Sequence, residues 1–148
     1  MMEYVAMGER DIDRVVPLYM DYYNTRENGA WTYETTYKRI HQVWSREDAY
    51  CLMLRSGEAV LGFAMGYMEQ YDDVQAYDLV EIVIADGHQN RGLGTAFMVE
   101  LERRVQELGA SLIQLQAVND ARHEAFYGKL QYNNAANLVL KTKWLGRR

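Results

Sequence analysis

The chain reads as an α/β (α+β) fold: a mixed, mostly antiparallel sheet with a central parallel strand pair and helices on both faces. Three observations predict it. The 148 residues are 49% apolar and 25% charged, which suits one domain over 1–148 with a core of its own. Strand-like apolar runs and segments of helical periodicity follow in the order β-α-α-β-β-β-α-β-α-β. From Tyr77 to Val118 a strand, a glycine loop, a long helix and a second strand succeed one another. Such a unit forms a parallel pair through a right-handed crossover.

The elements can be justified in turn. "EYVAMG" is a first strand. "ERDIDRVVPLYMDYYN" places Ile12, Val15, Val16, Leu18 and Tyr19 near helical spacing, with Asp11 as a cap and Pro17 close to the first turn. "NTRENGAWT" is a turn. "YETTYKRIHQVWSRED" is a second helix with Tyr33, Tyr37, Ile40 and Trp44 on one face. "AYCLMLRS" and "AVLGFAMGYMEQY" flank Ser56-Gly57-Glu58 and should form an antiparallel hairpin. "QYDDVQ" turns into the long strand "AYDLVEIVIA". The helix "GTAFMVELERRVQELG" buries Leu93, Phe97, Leu101, Val105 and Leu108 and stops at Gly109. "SLIQLQAV" is a strand, "NDARHEAFYGKLQY" a short helix with Asn119 as its cap, and "ANLVLKTKWL" a final strand.

Composition excludes several classes. No apolar run exceeds strand length, so no membrane span is expected. "MMEYVAMGERD" lacks the pattern of a signal peptide, and the lone Cys51 has no internal disulfide partner. Both fit the cytoplasm. A net charge of −5 and a pI near 5.2 argue against a nucleic-acid partner. They lean toward cationic small molecules. His41, His88 and His123 lack metal-ligand spacing, and no metal is expected.

The chemistry-bearing motif is "HQNRGLGTAF", His88 to Phe97. Helix starts leave N–H groups without intrahelical partners and carry partial positive charge. Glycines let a phosphate approach that backbone. A dinucleotide fingerprint fails because Phe97 stands where a third Gly or Ala belongs. A Walker loop fails because Leu93 stands where Lys must be. A pyrophosphate loop of the form Gln/Arg-x-x-Gly-x-Gly/Ala is matched by Gln89-Asn90-Arg91-Gly92-Leu93-Gly94, with a strand before it and a helix after.

This loop, the downstream Asn119 and "AFYGKL", and the element order together resemble the GNAT superfamily of acyl-CoA-dependent N-acetyltransferases. Gln131 and Tyr132 replace the Gly and Phe usual after that helix. The resemblance implies that the main chain of Gln89, Asn90, Arg91, Gly92, Leu93 and Gly94 holds the pyrophosphate of acetyl-CoA, with Thr95 adding a hydroxyl and Arg91 a charge. It also implies that the parallel strands splay, that the pantetheine arm enters between them, and that Ile82, Val83 and Ile84 face the acetyl group. There one N–H would polarise the carbonyl. Glu81 is then the candidate general base and Tyr127 the general acid for the leaving thiolate. Phenol and thiol pKa values lie within about two units, so that transfer is nearly balanced. Asn119 either bonds the pantetheine arm or caps its helix. In a regular strand Asp78 would face away from Glu81, and a bulge would change that.

The acceptor slot of the family lies around the first two helices and the hairpin. Here that region carries Tyr22, Tyr23, Trp31, Tyr33, Tyr37 and Trp44, with Glu69, Asp72 and Asp73 near the hairpin tip. Aromatics and carboxylates suit a cationic primary amine, on a small molecule or a peptide. The alternative is a non-catalytic acyl-CoA-binding module that keeps the fold and lacks the transfer. The terminal edge strand would favour a homodimer by pairing across a two-fold axis.

Overall fold

A computed structural model describes residues 1–89 and 91–146. They belong to two compact units, Met1–Gln116 and Ala117–Arg148. The first holds a five-stranded sheet in the order β1-β2-β3-β4-β5. Its strands are β1 (Met2–Ala6), β2 (Ala49–Ser56), β3 (Ala59–Gln70), β4 (Gln75–Ile84) and β5 (Leu112–Leu115). The first three pairings are antiparallel and β4–β5 is parallel. Between β1 and β2 run α1 (Ile12–Arg26) and α2 (Tyr33–Trp44), and α3 (Leu93–Glu107) joins β4 to β5. The second unit holds α4 (Ala121–Lys129).

Side-chain alternation divides the apolar residues between two faces of the sheet. Cys51, Met53, Phe63, Met65 and Val83 join Ile12, Val16, Tyr19 and Ile40 in the core beneath α1 and α2. Residues of opposite parity, among them Leu52, Leu54, Ala64 and Tyr77, are as deeply buried on the α3 side. There Phe97, Met98, Leu101 and Val105 form the buried stripe of α3, and Tyr4 meets Phe97 edge-on at 5.2 Å. Each such Leu, Met or Phe contributes about 1.5–3 kcal/mol by leaving water.

Local signals explain the helix starts. At α2 the Thr32 hydroxyl accepts from the Thr35 N–H at 3.1 Å, and the Thr35 hydroxyl accepts from the Thr32 N–H at 3.0 Å. At α1 the Asp11 carboxylate accepts the Gly8 N–H at 2.9 Å and the Arg14 guanidinium at 3.3 Å, and it makes no capping bond to a backbone N–H of the helix it precedes.

Several expectations change. Pro17 lies inside α1, beyond the first turn, because five helical residues from Ile12 to Val16 precede it. The deeply buried face of α2 is Thr36, Ile40 and Val43, whereas Tyr33 is exposed. In α3, Met98 takes the buried place expected of Leu108, which is the C-cap and faces water. The segment read as a final strand pairs with none of the described strands. Its Leu138-Val139-Leu140 run is exposed throughout, because no neighbouring strand among the described residues receives it. The parallel pair therefore stands at one end of the described sheet instead of at its centre.

One irregularity positions the site. Met65 of β3 pairs with Glu81 of β4, and the next residue, Gly66, pairs with Leu79. Val80 is the extra residue of a β-bulge. Beyond it Tyr67 pairs with Asp78. Since Met65 and Tyr67 share a face of β3, Glu81 and Asp78 share a face of β4, the one toward α1 and α2. The bulge forces the strands together at Gly66. A Cβ there would sit 2.2 Å from the Asp78 carbonyl oxygen and 2.6 Å from the Tyr77 hydroxyl.

Candidate functional site

The glycine loop begins where β4 ends. The Gln89 side chain donates to the Ile84 carbonyl at 2.7 Å and ties the loop to the strand terminus. Gly92 is the N-cap of α3, at φ 76° in the left-handed region, and as a glycine it supplies no side-chain cap. The first turn of α3 holds no acidic residue. Around Gly92 a Cβ would meet no atom within 4 Å. The N–H groups of Leu93, Gly94 and Thr95 thus open a helix with no side-chain acceptor supplied at its N-cap, a ready seat for an anion. Thr95 is half-buried and Arg91 exposed. Asn90 lies outside the described residues.

The strand leading to this loop outruns its neighbour. Pairing with β5 covers Ala76 to Leu79 only, while β4 continues to Ile84. On that side Ile82, Val83 and Ile84 have no ladder partner among the described residues. The Val83 side chain is buried, and Ile82 and Ile84 are half-buried.

Glu81 sits in a dense set of donors. Tyr23 of α1 donates its hydroxyl to Oε1, and Tyr19 donates to Oε2 at 3.0 Å. From α2, Arg39 donates to Oε2 through Nη2 at 2.9 Å and Nε at 3.2 Å. The Glu81 side chain is 13% exposed, against 39% for Arg39. Burial, and then the Glu81 charge, push the Tyr19 and Tyr23 phenols well above their ordinary range, so both remain donors. The carboxylate thereby bolts α1 and α2 to β4.

A second acidic group lies on the same face. Asp78 Oδ1 accepts from Gln114 of β5 at 2.7 Å, across the parallel pair. Asp78 Oδ2 is buried without a donor among the described residues, and the Asp78 carboxyl lies within hydrogen-bonding reach of the Glu69 carboxyl. Two carboxyl groups pair only by sharing a proton. Burial first, and then this pairing, raise Asp78 to about 6, while the same pairing lowers Glu69. Tyr71 donates to Glu69 at 3.1 Å, and the Gln114 amide reaches the Tyr71 hydroxyl at 2.9 Å. Asp72 and Asp73 are exposed in the turn beyond.

In the second unit Tyr127 lies on α4, with its ring 4.9 Å from Phe126 and 5.7 Å from Tyr132. The cap of α4 is Asp120, whose side chain accepts the His123 N–H at 2.8 Å, and not Asn119 as expected. Asn119 is exposed one residue outside the cap.

The sequence had singled out Glu81, Tyr23 and Glu69. It missed Tyr19, Arg39 and Gln114 as their partners. Tyr19 and Tyr23 are four residues apart on α1 and so share a face. Arg39 and Gln114 left no signal, because their roles come from packing across α2 and β5. Glycines within the apolar run of β3 were a readable sign of a bulge.

The chain belongs to the acetyltransferase (GNAT) family, whose model matches residues 12–132. No curated protein sequence matches it. Solved structures share its fold at low identity. A "possible acetyltransferase" from Clostridium difficile 630 aligns with TM-score 0.84 over 99% of both chains at 10% identity. Ribosomal-protein-alanine N-acetyltransferase from Brucella melitensis biovar Abortus 2308 gives 0.73, covering 99% of this chain and 100% of its own at 17% identity. An aminoglycoside acetyltransferase from an uncultured soil metagenomic sample, in complex with sisomicin, gives 0.71 over 99% and 97% at 12% identity.

Proposed function

We propose that this acetyltransferase moves an acetyl group from acetyl-CoA to a primary amine of a small molecule or peptide. The observation that carries the reading is the run of β4 past β5 into a helix whose N-cap is a bare glycine. The edge from Ile82 to Ile84, left unpaired by β5, offers strand-like hydrogen bonds to a pantetheine arm, and one N–H there polarises the thioester carbonyl. The amides from Gln89 to Gly94 hold the diphosphate, and Asn119 bonds the arm.

The amine nitrogen attacks the thioester carbon and the C–S bond breaks. An alkyl ammonium, pKa about 10, must first give up a proton, and the amide nitrogen loses a second after attack. One proton ends on the thiolate, for which Tyr127 is the donor. The other leaves through the carboxyl groups that face α1 and α2. Aromatic and acidic residues on this face suit a cationic acceptor. The structural neighbours named for aminoglycoside and ribosomal-protein-alanine acetylation illustrate two acceptor classes on this fold.

Thiol release from acetyl-CoA, screened over polyamines, aminoglycosides and peptides with free amines, tests the reading. Transfer to at least one amine is expected, with Tyr127→Phe slower by roughly 100-fold. Coenzyme binding with no transfer to any amine would make the chain an acyl-CoA-binding module.

A further inference from the structure

We infer that Asp78, and not Glu81, takes the proton from the acceptor amine, that Glu69 tunes it, and that Glu81 is a positioning residue. The inference rests on the acetyltransferase reading above. Both acids face the same slot only because Val80 is bulged out of register. Their surroundings then separate them. Glu81 accepts four hydrogen bonds, from Tyr19, Tyr23 and Arg39, and each would have to weaken if the carboxylate took up a proton. Those donors also belong to α1 and α2, so the proton would loosen the walls of the slot.

Asp78 is built the other way. One oxygen is held by Gln114, the second is buried with no donor among the described residues, and the carboxyl group as a whole lies within hydrogen-bonding reach of the Glu69 carboxyl. A proton arriving there gains a partner, since it can be shared between the two carboxyl groups. The charged and titratable groups around Asp78 are Glu69, Tyr67 and Tyr71 from β3 and its turn, and Arg46 from the segment after α2. Arg46 lies 3.7 Å over the Tyr67 ring and favours the ionised form of Asp78. Gln114 is the neutral contact from β5. The step balances simply. The ammonium N–H breaks, Asp78 binds that proton and passes it to water through the half-buried Glu69, and the neutral amine attacks the thioester.

The experiment is the pH profile of kcat/KM for thiol release in wild type, Asp78→Asn, Glu69→Gln and Glu81→Gln, each paired with acetyl-CoA-dependent melting. Wild type should rise through an apparent pKa near 6 toward a plateau. Asp78→Asn should lose that limb and fall about 100-fold while still melting higher with acetyl-CoA. Glu69→Gln should keep the limb but move it to lower pH, and it tests the assignment even if Asp78→Asn misfolds. Glu81→Gln should keep the limb in place and change KM. An active wild type whose limb survives Asp78→Asn, or is lost only with Glu81→Gln, overturns the assignment. A wild type that transfers to no amine overturns the acetyltransferase reading beneath it.

Discussion

Asp78 and Glu81 differ in what a proton would do to them, and stability reports this apart from catalysis. Asp78 is raised above its ordinary 3.8 to about 6, chiefly by burial. In that window the folded chain holds a proton that the unfolded chain has released. The contribution is full below about pH 4 and is lost as pH rises through 6. Asp78→Asn should therefore raise the melting temperature relative to wild type at pH 8 and change it little at pH 4, which paired thermal melts will show. Tyr23→Phe tests the other acid. It strips Glu81 Oε1 of its hydroxyl donor inside a half-buried network, and bonds to charged groups contribute about 2 kcal/mol. Urea unfolding should show a loss of that size with an unchanged m-value. At this scale the sequence offered Glu81 because of its place before the glycine loop. It did not offer Arg39 or Gln114, whose importance comes from register and packing across elements distant in sequence.

The element on which the site depends is β4 with its bulge. Gly66→Ala would drive a methyl to 2.2 Å from a backbone oxygen that cannot move without unpairing β3 from β4. A cost of about 3 kcal/mol is expected, at the upper end for an overpacked site, again measured by urea unfolding. Gly92 is different, because its surroundings are open and only its φ of 76° resists a side chain. Gly92→Val should cost about 1–2 kcal/mol of backbone strain, leave the chain folded, and abolish the rise in melting temperature with acetyl-CoA. Most elements were legible because periods of 2 and 3.6 separate strands from helices. The bulge was only half legible. Glycines in an apolar strand hinted at it, but the position of the extra residue depends on which neighbour it faces.

For the molecule as a whole, acetyl-CoA that binds only the folded state should stabilise it by about 2.7 kcal/mol at a hundred times its Kd, a shift of roughly 5–10 °C. Differential scanning fluorimetry reads this directly, and ATP serves as the control. The order of elements and the family were visible in the sequence because the glycine loop and the "AFYGKL" helix stand in fixed places along it. The terminal strand was not, since the "NLVLKTKWL" pattern specifies an extended segment only if some edge is there to receive it.

Bulged Val80 has a consequence for how such a slot is re-engineered. Facing in a pleated strand is a matter of parity, so inserting one residue into β3 between Met65 and Gly66, opposite Val80, would complete the ladder and turn one of the two acids to the opposite side while every existing residue kept its identity. Chain length, adjusted by one, is thus a lever on acceptor chemistry as strong as any substitution.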